Sequence, residues 1–68
     1  MTLKELTSET RIQGNVRLSA WNDDEEIFVK EYENTDGWKC DLTRYNEWEV
    51  NYMFCPGDGF LHIELIPD

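Results

Sequence analysis

The segment RIQGNVRLSAWNDDEEIFVKEYE, Arg11–Glu33, decides the fold. In its first half Ile12, Gly14, Val16, Leu18 and Ala20 alternate with Arg11, Gln13, Asn15, Arg17 and Ser19. A period of two marks a strand buried on one side, because successive side chains of a strand point to opposite faces of the sheet. Four consecutive carboxylates, Asp23–Glu26, interrupt the apolar pattern, and a second strand is predicted over about Glu26–Glu33. With Asp23 and Asp24 central in the turn, Ala20 faces Ile27 and Leu18 faces Val29 on the core side. The other face then collects Trp21, Phe28, Lys30 and Tyr32. Arg17 falls opposite Lys30, a like-charge pair that weakens this register.

Outward from this hairpin, Thr2-Leu3-Lys4-Glu5 reads as a capping box, and Leu3 and Leu6 share a face of a short N-terminal helix. Asn34-Thr35-Asp36-Gly37 is a turn cluster. After it Asp41 can cap a short helix carrying Leu42, Tyr45 and Trp48, with a loop as the alternative. The last third reads as a second hairpin, with Val50, Tyr52 and Phe54 facing Leu65, Ile63 and Leu61 across CPGDGF. The sum over residues 1–68 is a single small α+β domain. A mostly antiparallel four-stranded sheet of two β-hairpins is expected, with the helix over one face.

Composition narrows the function. The 68 residues carry fifteen acids and six bases, a net charge of −9. Residues 1–21 hold Glu5 and Glu9 against Lys4, Arg11 and Arg17, so the acidic excess lies wholly in the remainder. A phosphate backbone is repelled by such a surface, since nucleic-acid affinity comes largely from Lys and Arg displacing counterions; direct nucleic-acid binding is not expected. The sequence has no apolar run of membrane-spanning length and no signal-like apolar core, so no membrane association and a cytoplasmic location are expected. Cys40 and Cys55 have no close pairing, and reduced thiols are the expectation.

Four stretches of the sequence carry residues of chemical interest. Asp23, Asp24, Glu25 and Glu26 could in principle hold calcium, but the EF-hand spacing is missing and neighbouring residues of a tight turn point apart; a solvated hairpin tip is the plainer reading. Cys40, Cys55 and His62, with Asp41 or Asp58, are zinc-type ligands, but their spacings match no zinc motif. A Cys–His nucleophile pair would lie on an open sheet face without a pocket, and CPGDGF has neither the lysine nor the following helix of a phosphate loop. No enzyme activity, cofactor or metal is therefore expected.

The second sheet face is more informative. Trp21, Phe28, Met53, Phe60 and His62, with Tyr32, Cys55 and Ile66, are predicted to lie outside the core, and monomers rarely leave so much contiguous apolar surface open. Either the Leu42–Trp48 segment folds over it, or it is an interface with a protein partner, a homodimer included.

TLKEL at Thr2–Leu6, G-x-V-R-L at Gly14–Leu18 with acids after the strand, and WEVNYM through DGFLHIE at Trp48–Glu64 resemble a group of small acidic proteins. Plasmids, integrated elements and phages of gut Firmicutes encode that group. The resemblance implies a bacterial mobile-element accessory protein with a domain of unknown function. In that setting a non-enzymatic protein-interaction module is the leading expectation. The alternative is an acidic nucleic-acid mimic that blocks a basic DNA- or RNA-binding defence or regulatory protein, using Asp23, Asp24, Glu25, Glu26, Glu31 and Glu33. The plainer reading of the same carboxylates is that acidity keeps a small protein soluble.

Overall fold

Thr2 starts the helix as a capping box. Its hydroxyl accepts the Glu5 backbone N–H at 3.2 Å, and the Glu5 carboxylate accepts the Thr2 N–H at 3.0 Å, so two amides that a helix start leaves without partners are satisfied. The same contacts hold the Glu5 carboxyl below the usual carboxylate range. The computed structural model describes residues 1–67. In it α1 (Leu3–Glu9) is followed by β1 (Gln13–Asn22), β2 (Glu25–Asp36), a single 3-10 turn at Thr43–Tyr45, β3 (Glu49–Phe54) and β4 (Leu61–Ile66). The fold is α+β, with one turn of helix where a short helix or loop is expected. None of the described helices is long and apolar enough to cross a membrane.

The strand order is β2-β1-β4-β3. Both hairpins are antiparallel, but β1 and β4 join them in parallel, so the sheet is mixed. The inner pair places Val16 level with Leu61, Leu18 with Ile63 and Ala20 with Leu65. Five of these six are buried and Leu61 is partly so. Putting the two most regularly apolar strands in the centre makes one continuous stripe, and each Leu, Ile or Val removed from water there contributes roughly 1.5–3 kcal/mol.

In the first hairpin the turn is as expected, but the register beyond it is not. Asp23 takes φ 57°, in the left-handed region that Asp tolerates better than most residues, and Asn22 pairs with Glu25 and Trp21 with Glu26. A bulge then shifts the pairing by one residue, so Ala20 faces Phe28, Leu18 faces Lys30 and Arg17 faces Glu31. The physical gain is plain. Arg17 escapes Lys30 and instead reaches Glu31 at 3.0 Å and Glu26 at 3.1 Å. Phe28 and Tyr32 turn to the core face, while Ile27 and Val29 are left exposed. A second bulge, near Asn15, is stitched by that residue: its side-chain carbonyl accepts the Asn34 N–H at 2.9 Å, and its amide donates to Gly59 O at 3.2 Å.

The second hairpin behaves alike. Val50 does face Leu65, but a bulge between Val50 and Tyr52 sets Tyr52 against Glu64, Met53 against Ile63 and Phe54 against His62. Tyr52 and Phe54 therefore leave the expected core side.

Because β1 and β4 are parallel, β2 and β3 run in the same direction at opposite edges. The chain leaving β2 must cross the sheet diagonally to enter β3, and it crosses on the side already occupied by α1. Trp38, whose backbone N–H donates to Ile12 O at 2.9 Å, begins the crossing. At its end Leu3 N–H and Lys4 N–H donate to Trp48 O and Asn46 O at 3.0 and 2.9 Å, tying helix to crossing. Tyr45 stacks on Phe28 with ring centres 4.3 Å apart and meets Trp48 edge-on at 4.4 Å; Tyr32 and Trp38 lie 5.1 Å apart. The Leu42–Trp48 segment thus thickens the core side.

Candidate interaction face

With helix and crossing on one side, the other side of the sheet carries no covering segment among the described residues. Alternation assigns its occupants in rows. One row reads Glu31, Arg17, His62, Phe54 across β2, β1, β4 and β3, and the next reads Val29, Ser19, Glu64, Tyr52. Trp21 and Ile66, the next outward residues of β1 and β4, lie beyond. Trp21 is 38 % exposed, Val29 40 %, Tyr52 48 %, Phe54 40 % and Ile66 50 %, a density of large apolar groups unusual for water-facing sheet.

The polar groups among them are mutually engaged. Arg17 is shared by Glu26 and Glu31. His62 Nε2 lies 2.7 Å from Asp58 Oδ2, and its ring is 4.8 Å from that of Phe54. Asp58 also accepts the Phe60 N–H at 2.9 Å, and that bond, then the one to His62, holds its carboxyl below the usual range. On β3, hydrogen bonding to the Glu64 carboxylate, helped by burial, raises the Tyr52 phenol above its ordinary value.

Of the sequence-predicted interface residues, the structure brings Trp21, His62 and Ile66 onto this face, while Tyr32 packs against the core. Phe28 lies on the opposite side against Tyr45, Met53 is opposite Ile63 at 46 % exposure on β3, and half-buried Phe60 sits in the loop before β4. Sequence reasoning missed Tyr52, Phe54 and Val29, all displaced to this face by one-residue bulges; the Arg17–Lys30 conflict was the available signal for the first of these bulges.

The acidic candidates divide as well. Asp23 and Asp24 form the exposed tip of the β1–β2 turn, Glu25 follows, and Glu33 lies farther along β2; none of the four has a basic partner within 4.0 Å among the described residues. Glu26 and Glu31, by contrast, are partly neutralised by Arg17. Asp36 is held by Gln13 and Arg11, which lower its carboxyl below the usual range.

The zinc-type set is not assembled. Among the described residues no three His, Cys, Asp or Glu side chains converge. His62 turns to Asp58, and the Cys40 sulfur accepts the Leu42 N–H at 3.4 Å. Burial pushes the Cys40 thiol up, away from the thiolate, while Cys55 is exposed and both are free. Partly buried Tyr32 hydrogen bonds to Asp41 at 2.6 Å, and desolvation together with that bond raises its phenol. The fold and this face define a one-sided α+β sheet domain. Comparison with protein-family models, curated proteins and solved structures finds no match.

Proposed function

We propose that the chain is a non-enzymatic protein-interaction module that docks a partner on the open face of its sheet. The observation that carries this reading is the one-sided packing: α1 and the 38–48 crossing both cover one face and leave Trp21, Val29, Tyr52, Phe54 and Ile66 exposed on the other. Aromatic residues are enriched in the anchors of protein interfaces, where they bury large rigid area at small entropy cost. The sequence resemblance supports placing the module in a mobile-element accessory protein acting in the bacterial cytoplasm.

Affinity capture comparing the wild-type chain with a Trp21→Ser/Phe54→Ser double variant tests it. A partner held by the former and released by the latter is expected. A partner retained equally by both would sink the reading.

Charge mimicry is the second reading, supported by Asp23, Asp24, Glu25 and Glu33, which present carboxylates without cations from one hairpin. Reversing Asp23, Asp24, Glu31 and Glu33 should then abolish binding to a basic target, and that binding should weaken steeply with salt. Salt-indifferent binding would exclude it.

A further inference from the structure

We propose that the open face selects its partner through Glu64, which receives a lysine or arginine set among apolar residues of the partner protein. This deepens the docking reading and rests on it. Glu64 lies on an inner strand, half-buried, level with Ser19 on one side and Tyr52 on the other. His62 and Ile66 flank it along β4. The carboxylates nearest to it across the rows have cationic or imidazole partners, Glu26 and Glu31 sharing Arg17 and Asp58 taking His62, while Glu33, which has none, lies farther out on the edge strand β2 and is exposed. Glu64 has no cation within 4.0 Å among the described residues; its carboxylate is met only by neutral groups, the Tyr52 phenol and the Asn51 amide, the latter at 3.4 Å, at the long end of hydrogen-bond range.

A flat apolar surface pressed onto the face would strip water from this carboxylate and bring no counter-charge in return, which is unfavourable. A cation delivered there meets a carboxylate already partly shielded from water, where attraction exceeds that of a fully solvated pair. Tyr52 and Trp21 offer ring faces for a guanidinium or for the methylene stem of a lysine. A second copy of the chain is a poor occupant, since it would bring another acidic face while its Arg17 is already held by two carboxylates. Charge complementarity thus favours a basic partner.

Selection of peptides from a random dodecapeptide display library on the immobilised full chain tests the proposal. Enriched peptides should share a Lys or Arg flanked by apolar residues. Their binding should fall about tenfold or more on Glu64→Gln, and similarly on raising salt from about 50 to about 300 mM. Thermal unfolding of Glu64→Gln within a few degrees of wild type shows that the fold is kept. Peptides that lack a basic position, or bind Glu64→Gln equally, yet are lost on Trp21→Ser/Phe54→Ser, overturn the ion-pair anchor and leave the docking face standing. Peptides indifferent to the double variant overturn both. So does a failure to enrich any peptide. Sedimentation showing a dimer broken by the double variant would give the face to a second copy and overturn the basic partner.

Discussion

The two faces of this sheet are built from the same four strands and differ in almost every other respect. On one, Leu18, Ile63 and Leu65 are sealed under α1 and the 38–48 crossing, with Tyr45, Trp48 and Trp38 as the outer layer. On the other, partly buried Arg17, His62 and Glu64 sit among the rings of Trp21, Tyr52 and Phe54, which are themselves exposed. Alternation supplies both sets, but topology decides which is covered: one parallel pairing between β1 and β4 sends the only long connection across a single side. Stability should therefore reside on the covered face, and the proposed docking on the other.

The strongest way to break this contrast is to remove the cover. Trp48→Ala should destabilise by about 3–5 kcal/mol, and Leu18→Ala or Ile63→Ala beneath it by about 2–5 kcal/mol, read from urea denaturation. A loss near zero at Trp48 would mean that the crossing is not part of the core. Next, Arg17→Ala should cost about 0.2–1 kcal/mol for each partly exposed pair, with the difference shrinking as salt rises. A salt-independent loss would point to packing by the arginine stem.

Acid provides a graded test. Asp36 and Asp58 have folded values below their ordinary 3.8, so the stability each contributes is full above that value and is lost as pH falls through the depressed one. The Tm gap between wild type and Asp36→Asn or Asp58→Asn should accordingly be present at neutral pH and close in strong acid. A gap that widens on acidification would contradict the sign. Smallest of all, Trp21→Ser on the open face should alter stability within about 0.5 kcal/mol. A core-sized loss there would erase the distinction between the faces.

The sequence made much of this legible where the determinants are local. The Ile12–Ala20 alternation marked the buried side of β1, and Ile12, Val16, Leu18 and Ala20 are all buried. The Thr2–Glu5 cap and the Asp23-Asp24 turn are likewise short-range chemistry. A bulge, however, inserts one residue without disturbing composition, and it reverses which side chains beyond it face the core. That is why Phe28 and Tyr52 changed sides, and why Glu64, one acid among fifteen in the sequence, gained a distinct position only in the folded sheet. The parallel joining of the hairpins was equally hidden, because nothing local in β1 or β4 announces a partner so far along the chain.

That joining has a kinetic consequence. Each hairpin can close over a short turn, but Val16 meets Leu61 only after about two-thirds of the chain has looped back on itself. The entropy of that closure precedes any reward from the central stripe. The rate of folding should thus be limited by docking two preformed hairpins, so substitutions at the β1–β4 seam should slow folding, while those at either hairpin tip chiefly alter how readily the pieces form.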